Sequence, residues 1–427
     1  MEKIVRLSSV FGVSRTTPAT YVSRSQVDDR FINDLTRYKH IVIHGSSKQG
    51  KTCLRKYHLE PSDYEVIQCT RNTSKESIYE TLLKFADIGV TEIKTTKHTK
   101  GMLAKVTLGG EGKIPFIAKA EGKGELSHDS KNEATLQKNS FNIDISNPND
   151  IGRALSLANF EKYIILEDFH YLDNHIQESI SYDLKAFHDN SPLIFIIIGV
   201  WLESNKLLLY NGDLSGRINT ITADRWTSKD LKEIIKVGEA LLNIKINDDT
   251  VDEIIKCTYG NVGLFQEVTY RLCEEYQIWQ TQKKQKTIGA PIDVRAVLRM
   301  ISKEEAPRYT NFITEFYNET NNSKNKISKW VMKCIISCKH EHLSRGVHLD
   351  ALYKYIDNKH PYSFKVTKSN ISQFLSRLDT IQRKYKIQPI ILEYSHKTLR
   401  VMDVNFIVFL STHYSQELEE LMVEEIT

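Results

Sequence analysis

The stretch from His40 to Thr52 leaves this chain the least freedom. His40-Ile41-Val42-Ile43-His44 reads as a short apolar strand running directly into Gly45-Ser46-Ser47-Lys48-Gln49-Gly50-Lys51-Thr52, which matches G-x-x-x-x-G-K-[ST] at every defined position. Such a turn is a P-loop. Its glycines let the backbone wrap closely around phosphate oxygens, and consecutive N–H groups and a helix N-terminus present partial positive charge. Lys51 adds a full charge toward the β- and γ-phosphates, and Thr52 is placed to ligate Mg²⁺. Thr52-Cys53-Leu54-Arg55-Lys56-Tyr57 suits the helix that must follow. The expected phosphate contacts are therefore Gly45, Ser46, Ser47, Lys48, Gln49, Gly50, Lys51, Thr52 and Cys53, with ATP and Mg²⁺ as cofactors. The competing reading is an ordinary glycine turn, which the strand before it disfavours.

Phosphate chemistry of this kind needs acids on a second strand. Tyr163-Ile164-Ile165-Leu166-Glu167-Asp168 is an apolar run ending in two carboxylates, the form of a Walker B strand. Glu167 falls where the metal-side acid is usual, and Asp168 where the water-positioning acid is usual. This Glu-Asp order reverses the common one. Asp168 is one methylene shorter than the usual glutamate, so slow hydrolysis is expected.

Composition narrows the class further. With 427 residues, 40% hydrophobic and 26% charged, the chain has material for two or three folded domains and is neither disordered nor fibrous. The longest apolar stretch, Leu193 to Leu202, is about half of what a bilayer-spanning helix requires. Behind Met1-Glu2-Lys3 there is no continuous apolar core, so no secretory leader and no membrane partner are expected, and the cytoplasm is the expected compartment. Six cysteines are scattered, and the close pair Cys334 and Cys338 has helical rather than zinc-knuckle spacing. Ser14-Arg15 and Ser46-Ser47 make no hydrolase elbow. His170, His175 and His188 show no metal-ligand pattern and read as local packing.

The net charge of +4 conceals an asymmetry. Residues 326–411 hold 15 Lys/Arg against 6 Asp/Glu, a net +9, while the remainder is net −5. Before that region, Asn318-Glu319-Thr320-Asn321-Asn322-Ser323-Lys324-Asn325-Lys326 has no hydrophobic period and reads as an interdomain connection. Between Ile93 and Glu133 lie 6 of the 19 glycines. Alternation at Ala104–Leu108 and at Ile114–Ala120 predicts a β-hairpin standing off the surface there.

The order of P-loop, Walker B strand, a further buried strand at Leu193–Gly199, an arginine-bearing turn and a small helical region resembles the AAA+ and STAND ATPases. The likeness is strongest to the origin-initiator type with a C-terminal winged helix. By that resemblance, Tyr21-Val22-Ser23-Arg24 and the helical pattern Val27, Phe31, Ile32, Leu35 look like the element that cradles adenine, with Arg24 at the nucleotide. Trp226-Thr227-Ser228-Lys229-Asp230-Leu231 looks like an N-capped helix opening the lid. Arg217, in Ser215-Gly216-Arg217-Ile218, matches the arginine finger that acts on a neighbouring subunit, and that role implies a homo-oligomer; an ion-paired surface arginine is the other reading. Two departures stand out. Where a polar sensor is expected after the fourth strand, Glu203 and Asn205 are the available groups. Where the lid's second sensor carries arginine, this chain has Gly263.

Residues 327–338 recur at helical spacing, Val347 begins a second helix and Ser369 a third. Pro389–Tyr394 and Thr398–Asp403 then flank a short turn. Three helices and a hairpin make a winged helix. Its candidate nucleic-acid contacts are Lys365, Lys368, Arg377, Arg383, Lys384, Lys386, Lys397 and Arg400. Such modules also dock proteins.

The fold read from the sequence is α/β: a P-loop NTPase (AAA+-like) core over 1–225 with a β-hairpin insertion at about 93–133, a helical lid over 226–318, a winged-helix domain over 326–415 and an acidic tail over 416–427. The expected function is an ATPase switch with Lys51, Glu167, Asp168 and Arg217 as its catalytic set. It assembles with itself and regulates a separately encoded effector, with antiphage defence as its setting. The alternatives are a DNA-binding initiator or transposition regulator, and a nucleotide-binding scaffold without hydrolysis.

Overall fold

Ile41-Val42-Ile43, Ile164-Ile165-Leu166 and Phe195-Ile196-Ile197-Ile198 are buried throughout. That is the pattern of strands covered on both faces, where alternate side chains enter two different cores. The computed structural model describes residues 4–13, 16–95, 102–108, 140–201, 203–224, 226–320, 325–361, 366–413 and 417–418. Along the chain the first eight strands are β1 (His40–Gly45), β2 (Tyr64–Gln68), β3 (Ile88–Thr95), β4 (Met102–Leu108), β5 (Ser140–Asp144), β6 (Tyr163–Glu167), β7 (Phe195–Val200) and β8 (Ile218–Thr222). Five of them form one sheet in the order β2-β6-β7-β1-β8, with β2–β6, β6–β7 and β1–β8 paired parallel.

The chain divides into two compact units. One comprises Ser25–His44 and Leu54–Thr222, the other Met1–Arg24, Gly45–Cys53 and Ala223–Thr427. In the first, Ile41, Ile43, Ile165, Ile196 and Ile198 share a core with Val27, Phe31 of α1 (Arg30–Leu35) and Leu54 of α2 (Lys51–His58). Val42, Ile164, Leu166, Phe195 and Ile197 face the opposite core. It is closed by Leu82 of α3 (Lys75–Phe85), Leu155 of α4 (Pro148–Leu157) and Leu184 of α5 (Asn174–Asn190). Each such fully buried aliphatic side chain contributes about 1.5–3 kcal/mol. Ile32, expected on the buried face of α1, is 45% exposed instead.

The insertion carries an antiparallel sheet in the order β3-β4-β5. Ala104–Leu108 is a strand, as expected, but its hairpin partner is β3, and β5 occupies its other edge. The other half of the expected hairpin, 114–120, lies outside the described residues. The sheet does not stand off the surface either. Ala104 and Val106 are buried with Ile88 and Ile143 in the core beneath the main sheet, while Leu103 and Lys105 point outward. The alternation was read correctly and its inner face was assigned too little burial.

In the second unit, Thr227 opens α6 (Ser228–Leu242) with a capping box. Its Oγ1 accepts the Asp230 N–H at 3.2 Å, and the Asp230 carboxylate accepts the Thr227 N–H at 2.9 Å. There follow β9 (Ile244–Ile246), α7 (Asp248–Cys257), α8 (Val262–Glu275), β10 (Lys286–Ile288) and the long α9 (Pro291–Asn318), with β9 and β10 paired parallel. Leu231, Ile235, Val251, Phe265, Val268 and Val297 belong to their shared core.

After α9 come α10 (Ile327–Ser337), β11 (Val347–His348), α11 (Leu349–Lys359), α12 (Lys368–Leu375), α13 (Leu378–Lys384), β12 (Leu392–Ser395), β13 (Thr398–Val401) and α14 (Val404–Thr412). The three strands pair antiparallel in the order β11-β13-β12. The three helices and the hairpin expected of the C-terminal module are present, a short helix at His340–Arg345, α13 and α14 are added to them, and one boundary changes. Val347 starts a strand, and the helix begins two residues later. His396 and Lys397 join β12 to β13 with φ of 49° and 57°, the two left-handed positions of a tight hairpin turn. Tyr309 of α9 packs tilted, and Phe312 edge to face, against Phe406 of α14. The ends of the polar 318–326 connection are tied, since Thr320 and Ser328 exchange hydrogen bonds at 2.9 and 3.1 Å. Of the acidic tail, only 417–418 is described, and Leu418 is buried in this module's core.

Candidate nucleotide site

The turn after β1 is built from backbone conformations that ordinary side chains resist. Gly45, Lys48 and Gly50 have φ of 145°, 60° and 82°. Lys51 begins α2 and is buried. Its Nζ donates to the carbonyl of Gly45 at 3.1 Å and to that of Ser46 at 2.5 Å. The loop thus closes around its own lysine, with partly exposed Thr52 and Cys53 next on the helix.

Residues outside the motif hold this turn. Asp224 follows β8, and its carboxylate accepts the Ser46 N–H at 2.8 and 3.0 Å and the Ser46 hydroxyl at 3.1 Å. Burial raises its pKa, and the nearby Lys51 ammonium opposes that rise. Trp226 Nε1 donates to the Gln49 carbonyl at 3.3 Å. The Arg24 guanidinium lies 3.8 Å from the Trp226 ring centre, and its Nη1 donates to the Ala223 carbonyl at 2.8 Å. Asn261 caps α8 by accepting the Leu264 N–H at 2.9 Å, and its Nδ2 donates to the Ser47 carbonyl at 3.0 Å. Gly263 has a steric reason to be glycine. A Cβ there would come within 2.4 Å of Lys48 Cβ and 2.7 Å of the Lys48 carbonyl oxygen. The arginine expected at 263 from the family resemblance has no room, because the phosphate-binding turn already fills that space.

The two acids have different surroundings. Glu167 ends β6, is buried, and accepts from Arg55 Nη2 at 3.3 Å. Arg55 stands one turn after Lys51 on α2, is itself buried, and lies 4.7 Å from the Tyr64 ring centre. A buried carboxylate without such a partner would carry a desolvation penalty of several kcal/mol. Asp168 adopts the left-handed conformation (φ 56°, ψ 37°) and accepts from Gln68 Nε2 at 2.6 Å. Burial, reinforced by the charges of Asp168 and Glu167, pushes the neighbouring Cys69 thiol up to about 12.

Arg217 is held on the outside of the same unit. Its Nε and Nη2 donate to the two Asp189 oxygens at 2.8 and 3.0 Å, and its Nη1 to the Asp213 carbonyl at 2.7 Å. Hydrogen bonds from Arg217 and His188 bring the Asp189 pKa down to about 2. His170 accepts the Val200 N–H at 3.3 Å. Both histidine contacts are local packing of the kind expected. Glu203 and Asn205 follow β7 ahead of a short helix.

In the C-terminal module several expected nucleic-acid contacts are ion-paired: Lys368 with Asp350, Arg383 with Asp379 at 2.9 Å and Lys384 with Glu319 at 2.8 Å. Arg377, Lys386 and Lys397 are exposed, and Arg400 Nη1 donates to Ser395 Oγ at 3.2 Å. Lys365 lies outside the described residues.

The local chemistry fits the expected cofactor. Three left-handed turn residues and a lysine at a helix start form an anion cradle, and the Thr52 hydroxyl beside it is a hard oxygen donor of the kind Mg²⁺ takes. No helix among the described residues is long and apolar enough to cross a membrane.

No protein-family model matches the chain, and no curated protein matches it. Among solved structures, it is similar to the Walker-type ATPase of Pyrococcus abyssi at 13% identity and a TM-score of 0.52, over 94% of this chain and 99% of that one. Orc1 of Aeropyrum pernix, solved in complex with DNA, matches at 12% identity and a TM-score of 0.43, over 96% of this chain and 97% of that one. Cdc6p of Pyrobaculum aerophilum matches at 15% identity and a TM-score of 0.41, over 98% of each chain. The sheet order, the strand-turn-helix at Lys51 and the match over nearly the whole length of the Pyrococcus protein give this chain the fold of a Walker-type, AAA+-like P-loop ATPase.

Proposed function

We propose that the protein is an ATP-binding and hydrolysing switch that assembles with itself and regulates a separately encoded partner. One observation carries the reading: the turn from Gly45 to Gly50 is held in left-handed conformations and closes on Lys51, as an anion cradle must. Bound magnesium would neutralise charge on the phosphates. Lys51 and the turn's backbone hold the phosphates, with Thr52 and Glu167 on the metal side. Arg55 is the ion-pair partner of the Glu167 carboxylate. Asp168 orients the attacking water and takes up its proton. Arg24, against Trp226, contacts the nucleotide from outside the turn. Arg217 acts in trans, which requires that it exchange Asp189 for the neighbouring subunit's nucleotide. Antiphage defence is the setting assigned from the resemblance to STAND ATPases.

Light scattering coupled to size exclusion, with and without ATP and Mg²⁺, tests this reading. Growth in mass with ATP is expected for the wild type, none for Lys51→Ala, and a persistent assembly for Asp168→Asn. Unchanged mass together with no nucleotide binding rejects it.

A second reading, a DNA-binding initiator or transposition regulator, is favoured by the exposed Arg377, Lys386 and Lys397. It requires duplex affinity that falls steeply with salt and weakens when these three are replaced. A scaffold that binds nucleotide without hydrolysis would show the mass change and no phosphate release.

A further inference from the structure

We infer that Asp224 is a positioning residue of the phosphate-binding turn, holding the peptide between Gly45 and Ser46 so that Lys51 is aimed correctly. The inference rests on the reading of that turn as an ATP site. Parallel pairing of β1 with β8 aligns His44 with Thr222. Ser46 and Asp224 each follow two residues after this last aligned pair, just past the strand ends, so the pairing brings the carboxylate near the turn.

A single amide plane links Asp224 to Lys51. The N–H of Ser46 and the C=O of Gly45 belong to the same peptide unit, which is rigid. Asp224 accepts from its N–H at 2.8 Å while Lys51 Nζ donates to its oxygen at 3.1 Å. An anion at the donor end polarises the amide and makes its oxygen a better acceptor for the ammonium. Fixing one end of the plane fixes the other. The Ser46 hydroxyl adds a third bond to the same carboxylate at 3.1 Å. Gly45 completes the arrangement, because a Cβ there would lie 2.6 Å from Asp224 Oδ1, and its φ of 145° disfavours any other residue. The first glycine of the motif therefore serves two purposes here: it makes the turn and it admits the carboxylate.

Asp224 touches the loop rather than the reacting atoms. Its loss should weaken ground state and transition state alike, raising KM with kcat nearly unchanged. Steady-state hydrolysis, binding of a fluorescent ATP analogue and hydrogen exchange of the peptide 40–54 test this in the full chain. For Asp224→Ala, KM and Kd should rise about tenfold, as when a buried N–H loses a charged acceptor. kcat should stay within about twofold, and faster exchange should be confined to 40–54. Asp224→Asn keeps an oxygen for the Ser46 N–H and should recover most of the affinity. Wild-type Kd and exchange in Asp224→Ala overturn the inference, as does a fall in kcat at constant KM. If Asp224→Ala does not fold, Asp224→Asn decides alone: a Kd raised about threefold supports the inference, and unchanged Kd and exchange overturn it. If the wild type binds no ATP, the reading of the site fails, and the exchange comparison still decides whether Asp224 holds the turn.

Discussion

Gln68 Nε2 donates to Asp168 Oδ2 at 2.6 Å, across the register pair in which Gln68 faces Glu167 on the adjoining strand. A donor on the carboxylate occupies one of its two oxygens. For an acid proposed to accept a proton from water, that is inhibitory. Gln68→Ala should therefore raise single-turnover hydrolysis about two- to fivefold at unchanged Kd for ATP, whereas Asp168→Asn should lower it by about 100-fold or more. Rates of phosphate release from preformed complexes measure this. Equal or slower hydrolysis in Gln68→Ala assigns Gln68 a supporting role instead.

Arg55 and Glu167 are both buried, and each is the other's neutralising partner. Arg55→Met removes the cation paired with a buried carboxylate and should destabilise the fold by about 3 kcal/mol. The double variant Arg55→Met, Glu167→Gln should regain a large part of that loss. Urea unfolding of the wild type, Arg55→Met, Glu167→Gln and the double variant provides the comparison, and additive effects would mean that the pair is not coupled.

Gly263 gives a prediction opposite to the one a family alignment would suggest. Introducing the expected arginine should not improve hydrolysis. Gly263→Ala already drives a Cβ into the Lys48 backbone, and a destabilisation of about 1–3 kcal/mol with weaker ATP binding is expected. Thermal unfolding with and without ATP checks both parts.

His40 sits fully buried at the start of β1. Its Nε2 donates to the Leu184 carbonyl at 2.9 Å and its Nδ1 accepts the Phe195 N–H at 3.1 Å, so only the neutral ring fits. Burial, with a smaller contribution from His188, brings its pKa down to about 4 from 6.5. Between those values the unfolded chain binds a proton that the folded one refuses, so stability falls as pH drops through that window. The His40 share of the slope is at most about 1.4 kcal/mol per pH unit. Unfolding free energies from pH 7 to 4 should show a shallower slope in His40→Gln, and an unchanged slope would remove His40 as the cause.

The parts legible in the sequence are those in which chemistry and spacing coincide. The Gly45–Thr52 turn needs glycine and lysine at fixed offsets, and buried parallel strands need unbroken aliphatic runs, so β1, β6 and β7 could be read directly. The Thr227–Asp230 capping box was legible for the same reason. The contacts that Asp224, Trp226 and Asn261 make with the turn were not, since each is made only through folding; the local patterns at Trp226 and Asn261 signal a helix start and not the turn. Arg55 left a faint signal: a residue one helical turn after Lys51 shares its face. Ala104–Leu108 was identified as a strand from its alternation, but alternation does not say which edge is paired. That is why its partners were missed.

The pairing of β4 with β5 aligns Thr107 with Ser140. The chain therefore leaves the small sheet after Leu108 and returns to it at an adjacent point. Segments with such neighbouring ends can be lengthened, exchanged or trimmed with little entropic consequence for the frame that carries them. A graft or a short replacement turn at this junction would leave the nucleotide-binding half untouched, which makes it a place where descendants of this protein can acquire new specificities without relearning how to fold.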